Sequence, residues 1–221
     1  MAPEGIAFSD DGKGVQSESL MREAMEQCRR LGKILAAHCE DNRLLRGGYI
    51  HDGAYAKAHS HRGICSESEW GQIARDVRLA EETGCAYHVC HVSTKESVDA
   101  VRMSRMKGAR VSCEVTPHHL WFDDSRLQYK VNPPIRKADD VTALIEAIRD
   151  GTVTCIGTDH APHTAEEKEK GAAGMVGLET AFGVCYTKLC REQRLPLEML
   201  SFLMSAGPAA VLGLADRKGM L

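Results

Sequence analysis

Four stretches of the chain carry apolar residues at a spacing of three and four, and a glycine ends each stretch before a short apolar run begins. This spacing places the apolar side chains on one face of a helix, and glycine suits the left-handed residue after a helix end. The pattern predicts helices over about 17–31, 66–83, 94–107 and 139–150. The second helix begins with Ser66-Glu-Ser-Glu69, which predicts a capping box between its first and fourth residues.

The apolar runs that follow the glycines, together with one run near the start of the chain, are typical of buried strands. They predict strands at about 5–8, 33–38, 86–91, 109–115 and 152–158. Strands that alternate with helices indicate an α/β fold with a parallel sheet and right-handed crossovers. No glycine-rich phosphate-binding motif follows the first strand, which argues against a nucleotide-binding doubly wound sheet. We therefore favour part of a (β/α)8 barrel.

Acidic, imidazole or hydroxyl side chains stand at the end of every predicted strand. The five strand ends are Ser9-Asp10-Asp11, His38-Cys-Glu-Asp41, His91-Val-Ser-Thr94, Thr116-Pro-His-His119 and Asp159-His160. Catalytic residues of (β/α)8 barrels lie at this end of the strands. Imidazoles and carboxylates together suit zinc, which generates hydroxide from bound water near neutral pH. The joint pattern therefore predicts a metal-dependent hydrolytic site.

Each of these residues also has a simpler explanation when it is taken alone. A single histidine at a strand end is usually a hydrogen-bonded loop residue, and Asp-Asp-Gly is a common turn sequence. We expect structural roles for His118 and His119, which follow a proline, and a packing role for His88 in mid-strand. The run His59-Ser60-His61 has the spacing of a metal-binding pair, but no apolar strand precedes it, and we expect an exposed loop there.

Composition narrows the choice of function. With 221 residues, 43% of them apolar, the chain can bury one sizeable core. A net charge of −3 without basic runs argues against nucleic-acid binding, and no apolar run is long enough to span a membrane. Nine cysteines without a C-x-x-C pair are typical of free thiols in a reducing compartment, and the first residues lack the features of a signal peptide. We therefore expect a cytoplasmic protein.

The motifs resemble those of dihydroorotases of the bacterial long type, within the amidohydrolase superfamily. The matching segments, in family order, are AFSDDG (7–12), HCED (38–41), YHVCHVST (87–94), EVTPHH (114–119), KVNPPIR (130–136) and IGTDHAPH (156–163). The resemblance implies a partial (β/α)8 TIM barrel of the metal-dependent amidohydrolase type, with strands four to eight only. This incomplete barrel would cover 1–213, and 214–221 would begin a further C-terminal segment.

The resemblance also implies residue roles. It implies Asp11, His38, His91 and Asp159 as ligands of two Zn²⁺ ions, and Asn132 and His163 as substrate-binding residues. Asp11 would bridge the ions, at the position where hydantoinases, dihydropyrimidinases and allantoinases carry a carboxylated lysine. His38 and His91 would bind the more buried ion. Asp159 would bind the other ion and act as general base and acid, and the loop after it would close over the site.

The implied reaction is the reversible hydrolysis of L-dihydroorotate to N-carbamoyl-L-aspartate, a step of pyrimidine biosynthesis. The implied partners are this small-molecule substrate, further copies of the chain in a homo-oligomer, and aspartate transcarbamoylase. Two alternatives stay open. One is a cyclic amidohydrolase of the hydantoinase or allantoinase type, and the other is a non-catalytic, dihydroorotase-like assembly subunit.

The chain departs from the family in one motif. The family holds its second ion and the substrate carboxylate with H-x-H-x-R after its first strand, and no strand of this chain ends in that sequence. We therefore expect at most one well-held Zn²⁺ ion, and weak or absent activity, in the 221-residue chain. Two open sheet edges also lead us to expect low stability or self-association.

Overall fold

The computed structural model describes residues 4–125 and 129–220 as alternating strands and helices. The strands are β1 (Ala7–Ser9), β2 (Ile34–Ala37), β3 (Ile50–His51), β4 (Gly63–Ile64), β5 (Tyr87–Val89), β6 (Val111–Val115) and β7 (Cys155–Ile156). The α-helices are α1 (Glu18–Arg30), α2 (Asn42–Leu45), α3 (Ala54–Ala58), α4 (Glu67–Thr83), α5 (Lys95–Met106), α6 (Pro117–Trp121), α7 (Ala138–Arg149), α8 (Ala165–Glu169), α9 (Ala181–Cys185), α10 (Leu197–Ser201) and α11 (Gly207–Val211). Two π-helical segments, Tyr186–Glu192 and Phe202–Ala206, continue α9 and α10. None of these helices is both long enough and apolar enough to cross a membrane.

The main sheet contains five parallel strands in the part of the chain that the structure describes. Their order is β1, β2, β5, β6, β7, so that β1 and β7 form the two edges. All five predicted strands are present in the predicted sequence order, although each is shorter than predicted. Helices connect successive strands of the sheet, as parallel pairing requires. The predicted α/β fold with a parallel sheet is confirmed.

The hydrophobic core lies between one face of this sheet and the helices α1, α4, α5 and α7. Alternate strand residues such as Tyr87 and Cys113 point into this core and are fully buried. The intervening positions on the opposite face are polar in the middle of the sheet, where β5 carries His88 and β6 carries Ser112 and Glu114. One face of the sheet therefore holds the helices, and the other face presents ionisable groups.

The helices begin and end close to the predicted residues. Ser17 and Thr94 cap α1 and α5, and each side-chain oxygen accepts a hydrogen bond from a backbone N–H of the first turn. The predicted capping box at the start of α4 is wrong. Ser66 has helical φ and ψ angles and makes no side-chain cap hydrogen bond, whereas a capping residue needs an extended backbone. Glu69 is directed to other partners, described below.

A second, smaller sheet is absent from the predicted elements. β3 and β4 pair in parallel, and α3 lies between them in the chain. Strands of two residues are too short to show alternation of apolar and polar positions, so periodicity has no means of detecting them. The run His59-Ser60-His61 joins α3 to β4 and is exposed, as predicted.

Candidate active site

The ends of β2 and β5 bring two predicted metal ligands together. His38 follows β2 and His91 follows β5, and these strands are neighbours in the sheet. The Nδ1 atom of His38 lies 3.0 Å from the Nε2 atom of His91, and the ring centroids are 4.8 Å apart. Both side chains are buried. The two residues are 53 positions apart in the chain, so the pairing of the strands creates this imidazole pair.

The two imidazoles have opposite pKa shifts. Burial opposes protonation of His38, but the adjacent carboxylate of Glu40 and the charges of Asp10 and Asp159 outweigh it and raise the pKa of His38. Burial, followed by the neighbouring charge of His38, lowers the pKa of His91. A proton on the pair is therefore held by His38. An imidazole that binds a metal must be neutral, so a cation bound by the pair would displace this proton from His38.

The imidazole pair fits a divalent cation such as Zn²⁺. The Nε2 atom of His38 lies 3.5 Å from Oε2 of Glu40 and makes no hydrogen bond with any described residue. Zinc–nitrogen bonds of about 2.0–2.1 Å put two nitrogen ligands of a tetrahedral ion roughly 3.3 Å apart. The observed distance of 3.0 Å between Nδ1 of His38 and Nε2 of His91 is close to that value.

The two aspartates after β1 have different surroundings. The Asp10 carboxylate accepts hydrogen bonds from the backbone N–H groups of His38 and Val15, at 2.8 and 3.0 Å. It thereby links the end of β1 to the end of β2. Asp11, the predicted bridging ligand, is exposed, and its backbone N–H donates to Oγ of Ser9. The structure places Asp10 against His38, and the role of Asp11 stays a prediction.

His91 and Asp159 have left-handed backbones, with φ angles of 36° and 47°. Residues other than glycine adopt this region at a cost of about 1–2 kcal/mol, and such strain is concentrated at functional sites. The negative charge of Asp159 is among the influences that act to raise the pKa of both His38 and His91. Of the four predicted metal ligands, the structure brings His38 and His91 into contact, and the ligand roles of Asp11 and Asp159 stay predictions.

A buried carboxylate on α4 holds the loop that follows β5. The Oε1 atom of Glu69 accepts hydrogen bonds from the backbone N–H groups of Ser93 and Thr94, at 2.9 and 3.2 Å. Its Oε2 atom accepts a hydrogen bond from the Ser93 hydroxyl and lies 3.4 Å from Nη2 of Arg136. Glu69 and Arg136 are each only 2% exposed. Sequence reasoning missed these contacts, because Ser93 lies 24 positions away and no local pattern marks the pair.

The two predicted substrate-binding residues lie in different surroundings. The Oδ1 atom of Asn132 is buried without a hydrogen-bond partner among the described residues. His163 is exposed, and its Nε2–H donates to the carbonyl of Ala173 at 2.8 Å. His163 also lines a cavity of about 560 Å³ whose wall contains three aromatic side chains, and neither His38 nor His91 belongs to that wall. The imidazole pair therefore does not line this cavity.

His118 and His119 are buried in α6, in agreement with the predicted structural roles. The ring of His119 is hydrogen-bonded to Oγ1 of Thr116 at 2.8 Å and to the carbonyl of Pro133 at 3.0 Å. Burial lowers the pKa of His118 to about 2 and the pKa of His119 to about 3. Both imidazoles are therefore neutral at physiological pH.

Sequence reasoning missed one polar cluster. His88, for which we expected a packing role, has its Nε2 atom 3.3 Å from Oε2 of Glu114 and 4.0 Å from Sγ of Cys155. Burial raises the pKa of Glu114, but the hydrogen bond and charge of His88 and the charge of His91 outweigh it, and the pKa is lowered overall. The available signal was alternation, since Ser112 and Glu114 interrupt the buried residues of β6 at every second position.

Comparison with known proteins agrees with the residue motifs. Residues 3–97 match the family model described as dihydro-orotase-like. The curated dihydroorotase of Bacillus licheniformis is 50% identical over 218 residues, which is 95% of this chain and 51% of the relative. The dihydroorotase of Fusobacterium nucleatum is 49% identical over 223 residues, which is 97% of this chain and 52% of the relative. The chain thus spans about half the length of the curated relatives that it matches.

Solved structures with the same fold include two hydantoinases. The L-hydantoinase (dihydropyrimidinase) from Arthrobacter aurescens superimposes with a TM-score of 0.83 at 27% identity, over 98% of this chain and 51% of that protein. The D-hydantoinase (dihydropyrimidinase) from Thermus sp. gives a TM-score of 0.83 at 24% identity. The five-stranded sheet is therefore part of a (β/α)8 barrel of the amidohydrolase type, as predicted. In sequence, residues 3–97 are dihydro-orotase-like, and the chain is similar to curated dihydroorotases along 95% of its length.

Proposed function

We propose that this chain carries residues of a dihydroorotase active site, which interconverts L-dihydroorotate and N-carbamoyl-L-aspartate in pyrimidine biosynthesis. One observation carries the proposal. Two buried imidazoles lie 3.0 Å apart at adjacent strand ends, in a chain about half identical to curated dihydroorotases. A cytoplasmic location is part of the proposal and is supported by nine free thiols.

The role that we propose for each residue follows from its surroundings. His38 and His91 would hold Zn²⁺, which when bound supplies Lewis acidity and an acidified water. Asp159, whose charge already acts on both imidazoles, would take a proton from the attacking water and return it to the leaving amide nitrogen. The free Oδ1 atom of Asn132 would accept a hydrogen bond from the substrate ring, and His163 would contact the substrate carboxylate.

The proposed number of metal ions follows from the available ligands. His38 and His91 form one preformed pair, and we propose that they hold one Zn²⁺ well. Asp11 is the proposed bridge toward a second ion, although its carboxylate is exposed in this structure. Asp10 would act as a positioning residue, because it fixes the backbone of His38.

Zinc binding tests the proposal directly. Isothermal titration of the metal-free chain with Zn²⁺ is expected to show one equivalent of zinc bound by the imidazole pair. This equivalent should be lost in His91→Ala. The matched control is His59→Ala, an exposed histidine whose loss should leave that equivalent unchanged. We expect the 221-residue chain to turn dihydroorotate over weakly or not at all, and any turnover in the same samples should disappear in Asp159→Asn and persist in the control. Zinc binding that survives His91→Ala unchanged would contradict the proposal.

The likeness to hydantoinase structures favours a second candidate, a hydantoinase-type cyclic amidohydrolase. Asp11 stands where that group carries a carboxylated lysine, and the nearest lysine, Lys13, lies two residues further on and is exposed. A panel of dihydroorotate, hydantoin and allantoin separates the candidates, and we expect a preference for dihydroorotate. Copurification with aspartate transcarbamoylase tests the proposed partner and the assembly role.

A further inference from the structure

The polar face of the sheet carries a second group of metal-ligating side chains, apart from the imidazole pair. Parallel pairing sets His88 beside Ser112 and Glu114 beside Cys155. Ser112 and Glu114 are two residues apart on β6, so all four side chains share one face of the sheet. His88 and Cys155 are buried, and Glu114 is partly buried. The fold therefore gathers an imidazole, a carboxylate and a thiol from three different strands.

The separations within this group are equal to or somewhat longer than those between zinc ligands. The three ligand atoms, Nε2 of His88, a carboxylate oxygen of Glu114 and Sγ of Cys155, lie within 4.8 Å of one another. The Nε2–Oε2 distance is 3.3 Å and the Nε2–Sγ distance is 4.0 Å. Bonds of about 2.0–2.3 Å to a tetrahedral ion place such ligands roughly 3.3–3.8 Å apart. Small side-chain movements would therefore complete the coordination.

A hydrogen bond on the far side of His88 sets the orientation of its ring. The Nδ1 atom of His88 lies 2.8 Å from Oγ of Ser112, whose hydroxyl lies 3.5 Å from the carbonyl of Tyr87. A hydroxyl that donates to this carbonyl accepts from Nδ1–H, and Nε2 is left facing Glu114 and Cys155. Metal-binding histidines are characteristically fixed in this way by a second hydrogen bond.

The charges of the group select the class of cation. One carboxylate and one thiolate together balance a divalent ion, and a thiolate favours zinc or cobalt over magnesium or calcium. Burial and the charge of Glu114 raise the pKa of Cys155 to about 12, so the thiol is protonated in the metal-free protein. Binding forms the sulfur–metal and nitrogen–metal bonds, breaks the S–H bond of Cys155 and the Nε2–H bond that faces Glu114, and releases both protons to solvent.

We propose that His88, Glu114 and Cys155 form a separate site for a borderline divalent cation such as Zn²⁺ or Co²⁺. Three protein ligands leave a fourth position for water. The site would adjoin the imidazole pair, because Oε1 of Glu114 lies 3.4 Å from the backbone N of His91. The inference does not depend on the proposed dihydroorotase activity, since it uses none of the residues assigned to catalysis.

Cobalt spectroscopy of the metal-free 221-residue chain tests this site with Co²⁺ alone. We expect a thiolate-to-cobalt charge-transfer band in the near ultraviolet that saturates at one equivalent per chain. The band should be lost in Cys155→Ser and retained in Cys90→Ser, a cysteine whose own pKa is raised by burial and by the charge of Glu114. Absence of the band in the unsubstituted protein at saturating Co²⁺ overturns the proposal without any variant. Persistence of the band in Cys155→Ser overturns it as well.

Two further variants separate this site from the imidazole pair. His91→Ala should keep the thiolate band while it loses the zinc equivalent of the proposed active site, so the two proposals fail independently. Loss of the band in a folded His91→Ala protein would place the cobalt at the imidazole pair and refute the separate site. Ser112→Ala, which removes only the hydrogen bond that orients His88, should weaken cobalt affinity by about 10–100-fold. Unchanged affinity in this variant would also count against the assigned ligand geometry.

Discussion

Asp10 and Asp11 are neighbours in the chain with different physical surroundings. The Asp10 carboxylate accepts two backbone hydrogen bonds and joins β1 to β2, whereas Asp11 is exposed. A hydrogen bond to a charged group contributes about 1.5–3 kcal/mol, and exposed substitutions usually change stability by less than about 0.5 kcal/mol. The two carboxylates therefore separate the contribution to stability from the proposed contribution to metal binding.

We expect Asp10→Asn to lower the free energy of unfolding by about 1–3 kcal/mol, because the amide loses the charge that both backbone N–H groups contact. We expect Asp11→Asn to leave that free energy within about 0.5 kcal/mol and to weaken Zn²⁺ binding, as a metal ligand should. Urea denaturation and zinc titration of both variants give the comparison. Zinc affinity that falls only in Asp10→Asn would transfer the ligand role to Asp10.

The left-handed backbone of Asp159 predicts an unusual order of stability. Asp159→Gly should be about 1 kcal/mol more stable than Asp159→Ala, because only glycine adopts a φ of 47° without steric cost. Asp139, in the first turn of α7, provides the control, since alanine is better than glycine in a helix by about 1 kcal/mol. Thermal unfolding of the four variants measures both orders. If the alanine variant were more stable than the glycine variant at position 159 as well as at 139, glycine would not relieve the strain at Asp159.

At the scale of elements, Glu69 joins α4, the loop after β5 and the segment that carries Arg136. This buried carboxylate accepts hydrogen bonds from both loop residues Ser93 and Thr94 and pairs with the guanidinium of Arg136. Removing one member of a buried ion pair leaves the other without compensation. The position of the β5 loop, and with it His91, therefore depends on a helix residue outside the site.

Glu69→Gln is expected to lower the free energy of unfolding by about 3–5 kcal/mol, because it leaves the buried Arg136 without its anionic partner. Glu67→Gln, on the exposed side of the same helix, should change it by less than about 0.5 kcal/mol. Urea denaturation of the two variants tests the difference. Similar stabilities would mean that Arg136 finds other acceptors, such as the Ile64 carbonyl at 3.3 Å from its Nη1.

The elements that sequence alone predicted correctly are those with long repeating patterns. Helices such as α1 and α7 bury one face, and the spacing of their apolar residues predicts which face that is. The capping box failed because Glu69 has stronger partners far away in the chain, which no local motif encodes. The cluster of His88, Glu114 and Cys155 was missed because strand register, which brings it together, follows only from the folded sheet.

At the scale of the whole molecule, buried neutral imidazoles make stability depend on pH. Burial lowers the pKa of His51 to about 4, His118 to about 2 and His119 to about 3. An imidazole in the unfolded chain has a pKa of about 6.5. Between these values the unfolded chain binds protons that the folded chain does not, so acid favours unfolding. The stability from these groups is fully present above about pH 6.5 and is lost as the pH falls toward the folded-state values.

We expect the free energy of unfolding to decline below about pH 6.5, with each such histidine contributing up to about 1.4 kcal/mol per pH unit. His119→Gln should reduce this slope, because glutamine can keep a hydrogen bond to the Pro133 carbonyl without titrating. His59→Gln, at an exposed position, should leave the slope unchanged. Denaturation curves between pH 7 and 5 measure how the free energy of unfolding changes with pH. An identical slope in all three proteins would contradict the contribution assigned to His119.

The similarity to dihydroorotases and the candidate site could be recognised in the sequence because the catalytic end of a barrel concentrates its polar residues after each strand. His38 and His91 are in contact, whereas the role of Asp159 stays a prediction. The positions of Asp10 and Asp11 were not predictable, since adjacent residues in a turn differ by a backbone rotation that composition does not encode. The free Oδ1 of Asn132 likewise depends on side-chain packing in three dimensions.

The contacts of Glu69 also bear on amide hydrogen exchange. The backbone N–H groups of Ser93 and Thr94 lie beyond the end of β5. Loop amides usually exchange fast, because loops open locally at a low cost in free energy. Both are buried and bonded to the same carboxylate oxygen. We expect them to exchange as slowly as the amides of β5 itself, so that the His91 side of the site is already rigid before any ligand arrives.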